Sequence, residues 1–83
     1  MITIHLKIYC REIVKGLRDG DYELPDGATV NDALAEAQRK SGVTLSDGAM
    51  NSVVFLLDGR AAGPDAPLID GGKLRILQKI LGG

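Results

Sequence analysis

The sequence closes on Gly82-Gly83, which follow the apolar pair Ile80-Leu81. A glycine contributes no side chain to a core, and it loses more conformational freedom than any other residue when it becomes ordered. Chain ends also tolerate sequence change, so two glycines can stand there by chance. The pair leaves two interpretations open: an incidental ragged end, or an end that is itself the working part.

Other residues with reactive side chains do not form a site in the sequence pattern. His5 and Cys10 lie five positions apart on a predicted strand and hence on opposite faces, so we expect a surface histidine and a buried or edge cysteine. Asp70-Gly71-Gly72-Lys73 lacks the spacing and the following helix of a phosphate loop and predicts a turn before a strand. No convincing catalytic pair forms among the acidic residues Asp26, Asp32 and Glu36. We expect no metal, nucleotide or other cofactor to be bound by this chain.

Length, charge and composition narrow the classes of partner. The 83 residues suffice for one domain, which we take to span 1–83. With 10 basic and 11 acidic residues, no basic stripe and few aromatic residues, nucleic acid is not an expected partner. No stretch approaches the ~20 apolar residues of a membrane span. The single cysteine fits a reducing compartment, and with no signal-peptide pattern we expect a cytoplasmic protein.

The first half of the chain predicts two strands and a helix. Apolar residues alternate with polar ones at the start, which is typical of a half-buried strand, at Ile2, Ile4, Leu6 and Ile8. Residues 10–19 stay ambiguous between a helical turn and a hairpin arm, and a short second strand follows at 22–24. Thr29 and Asp32 have the spacing of a reciprocal helix cap, and Gly42 predicts the helix end.

The second half predicts two more strands and a tail. Residues 53–57 form an apolar run closed by Asp58-Gly59, the segments 46–48 and 61–67 predict loops, and the last strand begins at Leu74 and reaches about Ile80. A flexible tail is predicted over 79–83. The order favours an α+β fold of the β-grasp type, with a mixed sheet of four to five strands, one main helix on one face, and the first and last strands parallel at the centre.

One face of the predicted sheet carries apolar residues that the helix does not cover. Strand alternation places three of them outward, Val54, Leu56 and Leu77. Exposed apolar patches on small proteins often mark interfaces, and Ile80 and Leu81 would extend this one towards the glycines. The alternative is that segment 10–19 covers some of these side chains.

Two segments resemble a known family. LPDGATVNDAL, from Leu24 to Leu34, resembles the strand, turn and helix start of the ubiquitin-like sulfur-carrier proteins, and the segment from Asp70 through LRIL to Gly-Gly resembles their last strand and tail. These are the small subunit of molybdopterin synthase (MoaD-like) and the thiamine sulfur carrier (ThiS-like). The ten or so extra residues before Tyr22 are more similar to the MoaD-like branch.

The resemblance implies a function for the tail. The Gly83 carboxylate would be activated with ATP by an adenylating partner of the ubiquitin-activating type and converted to a thiocarboxylate. Gly82, Leu81 and Ile80 would enter a narrow channel of that partner, which glycine permits and which excludes water from the adenylate. The chain would not be catalytic alone. It would donate sulfur as the small subunit of molybdopterin synthase, whose large subunit supplies the catalytic residues, or as a co-substrate.

Several functions share this activation. The sulfur would be donated in molybdopterin biosynthesis in the first interpretation, and a role as sulfur donor for thiamine, tungstopterin or tRNA thiolation stays open. A ubiquitin-like modifier would instead form an isopeptide bond between Gly83 and a lysine. A β-grasp interaction module with an inert tail is the third interpretation.

Overall fold

The computed structural model describes residues 1–79, and the predicted tail residues Ile80, Leu81, Gly82 and Gly83 lie outside this range. Its elements are β1 (Ile2–Ile8), β2 (Gly20–Leu24), α1 (Val30–Ser41), α2 (Asp47–Asn51), β3 (Val53–Leu57), β4 (Arg60–Ala62) and β5 (Lys73–Gln78). The five strands form one sheet in the order β2-β1-β5-β3-β4. β1 and β5 are parallel at the centre and the other neighbours are antiparallel, which confirms the predicted mixed sheet.

The core lies between the sheet and α1. The inward side chains of β1 are buried as the alternation predicted, and on β5 Leu74 and Ile76 are fully buried. The helix contributes Val30, Ala33, Leu34 and Ala37 to the same cluster. Burying these apolar side chains is the main favourable contribution to folding, and it requires one face of the sheet to be covered.

Both ends of α1 are capped as predicted. The Asp32 N–H donates to Thr29 Oγ1 at 3.3 Å, and the Thr29 N–H donates to Asp32 Oδ2 at 2.9 Å. These two bonds satisfy backbone donors that have no partner inside the helix. Gly42 ends the helix with a left-handed φ of 70°.

Segment 10–19 forms a turn on the helix side of the sheet, which settles its ambiguity. The Val14 N–H donates to the Cys10 carbonyl at 3.2 Å, and Val14 and Leu17 are buried. The Arg18 N–H donates to Ser41 Oγ at 3.0 Å, which ties the segment to the end of α1. Gly16 has a φ of 83°, and a Cβ there would lie 2.7 Å from Val43 Cγ1, so this close approach requires glycine.

Two short elements occur where loops were predicted. β4 overlaps the first two residues of the predicted loop 61–67 and pairs with β3 across a tight Asp58-Gly59 turn, in which both residues have positive φ. The prediction was wrong here because β4 contains Ala61 and Ala62, which have low strand propensity. α2 begins after Ser46, whose Oγ accepts the Ala49 N–H at 3.1 Å, and its five residues are too few to give a helical period.

Candidate functional site

The face of the sheet opposite α1 is open to solvent. Side chains on this face come from alternate positions of all five strands and from Tyr9, which follows β1. They form an apolar part, a basic part and an acidic part on β2, and the positions are Thr3, His5, Lys7, Tyr9, Asp21, Glu23, Lys73, Arg75, Leu77, Val54, Leu56 and Ala61. The first and last strands lie side by side, so residues more than sixty positions apart in the sequence become neighbours here.

The three predicted interface residues come together on this face. Val54 and Leu77 are directly paired across β3 and β5, and Leu56 is paired with Arg75 two positions along. Val54 is 39% exposed, while Leu56 and Leu77 are partly exposed. We define these three residues as the apolar patch. Segment 10–19 packs against the end of α1, on the other side of the sheet, so the geometry favours an open patch over a covered one.

The described chain reaches the edge of this patch just before the tail. β5 ends at Gln78, and the Lys79 N–H donates to the Ser52 carbonyl at 2.8 Å, one residue beyond the Val53–Gln78 pair. Lys79 was predicted as the first tail residue, and the rest of the predicted site lies outside residues 1–79. The tail would therefore begin two residues after Leu77, next to the apolar patch.

A basic group that was not predicted from the sequence lies beside the patch, and we define it as Lys7, Lys73 and Arg75. Lys7 and Arg75 are register partners across the parallel β1–β5 pair, and His5 and Lys73 are partners two residues earlier on the same strands. A shallow groove of about 270 Å³ runs over them, lined also by Tyr9. His5 Nδ1 lies 2.6 Å from Asp21 Oδ1 on β2. The sequence shows charged residues at alternate positions of β1 and of β5. Only the register between the two strands shows that these residues are neighbours.

Cys10 and the other residues set aside in the sequence have structural roles. Cys10 is 6% exposed with its Sγ 3.7 Å from the Ile76 carbonyl, and burial raises the pKa of its thiol, which disfavours the nucleophilic thiolate. The side chain of His5 is 46% exposed, as predicted for a surface histidine. Asp70 forms the predicted turn, where its Oδ1 accepts the Thr3 N–H at 2.8 Å.

Within residues 1–79, no group of three or more His, Cys, Asp or Glu side chains is arranged to hold a metal ion. No helix in this part of the chain is long and apolar enough to cross a membrane.

Solved structures with the same architecture connect this geometry to known proteins. SAMP1 from Haloferax volcanii is 19% identical, with 98% of this chain and 99% of that chain aligned and a TM-score of 0.70. A protein assigned as molybdopterin converting factor subunit 1 from Pyrococcus furiosus is 20% identical, with coverages of 96% and 100% and a TM-score of 0.73. The ubiquitin of Caldiarchaeum subterraneum is 17% identical, with coverages of 99% and 98% and a TM-score of 0.59.

These likenesses establish the fold. No protein-family model matches the sequence, and neither does any curated protein. The chain has the ubiquitin-like β-grasp fold, and the predicted resemblance to MoaD-like proteins is confirmed at the level of structure.

Proposed function

We propose that this chain is a sulfur carrier that works through the carboxylate of Gly83, most directly in molybdopterin biosynthesis. The observation that carries the proposal is that β5, the central strand of a β-grasp fold, ends beside an open apolar patch, and that the sequence continues from there to Gly82-Gly83. The likeness to a molybdopterin converting factor subunit 1 supports the choice of pathway. We place the protein in the cytoplasm in this proposal.

The chemistry requires a partner that activates the carboxylate. A Gly83 carboxylate oxygen attacks the α-phosphorus of ATP, and pyrophosphate leaves. A hydrosulfide ion then attacks the carbonyl carbon of the acyl-adenylate, AMP leaves with the electrons of the broken C–O bond, and loss of the sulfur-bound proton gives the thiocarboxylate. An adenylating enzyme of the ubiquitin-activating type supplies the ATP site, while this chain supplies the reacting group and the docking face. The chain is thus a co-substrate, or a sulfur-donating subunit beside the large subunit of molybdopterin synthase, and is not catalytic alone.

The two glycines fit this role because the partner must exclude water from the adenylate. A narrow channel that encloses Gly82 and Gly83 meets no Cβ and can impose unusual backbone angles. Ile80 and Leu81 would bind at the mouth of that channel as an extended segment. The apolar patch lies beside Gln78 and Lys79, which precede this segment in the sequence, and we propose that patch and tail contact one partner.

A ubiquitin-like modifier is the second candidate. The specific observation in its favour is the likeness to SAMP1, a small archaeal modifier protein, and to an archaeal ubiquitin. Here a lysine amine attacks the activated carbonyl carbon and forms an isopeptide bond. Activation is shared with thiamine and tRNA-thiolation carriers as well, so the fate of Gly83 distinguishes the candidates.

The test is the intact mass of the chain after incubation with ATP, a sulfur source and the adenylating enzyme encoded in the same genome. We expect a gain equal to the replacement of one oxygen by sulfur. Two controls should show no gain: a Gly83-deleted chain, and a chain lengthened by one alanine after Gly83.

Other results would redirect or overturn the proposal. Gly83 joined to lysines in cell extracts, with no sulfur gain, would establish a modifier. No change in either assay would leave an interaction module with an inert tail. If the thiocarboxylate forms, transfer of its sulfur to a molybdopterin precursor, a thiazole precursor or tRNA identifies the pathway.

A further inference from the structure

The open face carries positive charge that the described part of the protein does not neutralise. Lys7 and Lys73 are exposed and Arg75 is partly exposed, and none of the three side chains forms an ion pair within residues 1–79. Two acidic residues near the neighbouring edge are already engaged, whereas Glu23 on β2 forms no ion pair within residues 1–79. Asp21 pairs with His5 at 2.6 Å, and Asp19 pairs with Arg11 at 2.8 Å.

The register places two of these positive charges on neighbouring strands. Lys7 and Arg75 are partners on β1 and β5, and adjacent strands lie about 4.8 Å apart in a sheet. Like charges at neighbouring positions repel each other, although the repulsion is modest where the side chains are exposed to solvent. An acidic side chain of a partner would replace this repulsion with attraction.

The basic group is continuous with the apolar patch. Arg75 is the register partner of Lys7 on one side and of Leu56 on the other, so a single row across the sheet changes from basic to apolar. Val54 and Leu77 form the next row on the apolar side. A macromolecule seated on the patch would therefore also cover Arg75.

From these observations we infer that the open face docks a protein surface with an apolar centre and acidic residues on the side that meets Lys7, Lys73 and Arg75. The occupant is the adenylating partner, and in this respect the inference rests on the proposed function. The basic group would guide association and set the orientation of the carrier, because charged rims contribute mainly to association rate and specificity. The apolar patch would supply the desolvated contacts.

A protein fits this face better than a nucleic acid. Binding to a phosphate backbone depends on clustered basic residues, and here three apolar side chains, Val54, Leu56 and Leu77, lie directly beside the basic group.

The experiment reverses the charge of the basic group and compares it with an equal change elsewhere. The test variant is Lys7→Glu with Arg75→Glu. The matched control is Lys15→Glu with Arg18→Glu, because both residues are exposed, form no ion pair within residues 1–79, and belong to the segment that packs at the end of α1. Both variants alter the net charge equally, and circular dichroism and thermal melts confirm that each is folded.

Binding to the adenylating enzyme and carrier-dependent pyrophosphate release are measured at several salt concentrations. We expect the test variant to bind on the order of tenfold more weakly at low salt, with a flatter salt dependence, while the control stays within about twofold of the unaltered chain. The KM for the carrier should rise with little change in kcat, because Gly83 and its chemistry are intact.

Four outcomes would overturn the inference. Unchanged enzyme binding by the test variant, with sulfur transfer still proceeding, would refute this docking face and leave the proposed function standing. Equal weakening of both variants would reduce the effect to net charge. Loss of binding to a single-stranded oligonucleotide, with enzyme binding retained, would assign the basic group to nucleic acid. An unaltered chain that neither binds the enzyme nor gains sulfur would refute the proposed function and this inference together.

Discussion

The exposed face of α1 and the open face of the sheet both carry charged side chains, but they use them differently. On the helix, Arg39 donates from Nε and Nη2 to the two carboxylate oxygens of Glu36, each at 2.8 Å. Lys40 lies 3.8 Å from the same carboxylate and 5.6 Å from the centre of the Tyr22 ring. On the sheet, Lys7, Lys73 and Arg75 form no ion pair anywhere in residues 1–79.

The two surfaces differ in whether their charges are paired within the described part of the chain. Charges that pair within one helix add slightly to its stability and need nothing from outside. Charges of one sign that lie on neighbouring strands, beside the apolar patch, gain no such pairing within residues 1–79 and are free to contact an acidic partner. Charge content alone would not distinguish the two faces, whereas the pairing within the fold does.

The largest expected effect separates folding from docking at adjacent residues of β5. Ile76 is fully buried and Leu77 is partly exposed on the opposite face. Ile76→Ala should lower the free energy of unfolding by about 2–5 kcal/mol because it leaves a cavity in the core. Leu77→Ala should cost about 1 kcal/mol or less. Urea denaturation measures both, and equal costs would mean that Leu77 belongs to the core and not to an interface.

The next effect concerns binding and uses two exposed apolar residues. Leu77→Asp should fold but bind the adenylating partner at least about tenfold more weakly, because it places a carboxylate in the desolvated centre of the contact. Ile69→Asp is the matched control, since Ile69 is 65% exposed in the loop before β5, outside the apolar patch. Titration calorimetry with the enzyme measures both affinities. Similar affinities for the two variants would remove the apolar patch from the interface, and Leu56→Asp would then be expected to bind normally as well.

Local sequence patterns predicted most of the fold because the main helix and the longer strands each carry a clear pattern of their own. Alternation in β1, the Thr29–Asp32 cap and the apolar run of β3 each describe a few neighbouring residues, and the structure confirms them. β4 and α2 were missed because short segments of alanine and small polar residues have weak propensities that tertiary contacts override. The order of elements predicted the central β1–β5 pairing.

The open face could be predicted only in part. The alternation of side chains along β3 and β5 predicted that Val54, Leu56 and Leu77 point outward, and the pairing of the two strands makes them neighbours. The basic group depends on a register between Lys7 and Arg75, which no local pattern specifies. The tail chemistry of Gly83 stays a prediction, because it lies outside the described residues and depends on a partner.

The smallest expected effect tests whether the charges on α1 are paired in solution. The hydrogen bond from Arg39, with the positive charges of Arg39 and Lys40, holds the pKa of Glu36 below its ordinary value, despite some opposing desolvation. A carboxylate whose pKa is lower in the folded state contributes stability above its unfolded pKa and loses it as the pH falls through the folded pKa. The contribution should be small because the pair is exposed to solvent.

The measurement follows the side-chain carboxyl carbon of Glu36 by NMR during an acid titration. It should give a higher pKa for Glu36 in Arg39→Gln than in the unaltered chain. The same titration on Arg75→Gln should leave the Glu36 pKa unchanged, because Arg75 lies on the opposite side of the sheet. If Arg39→Gln also left this pKa unchanged, the ion pair on α1 would be unformed in solution, and the contrast between the two faces would rest on the apolar patch alone.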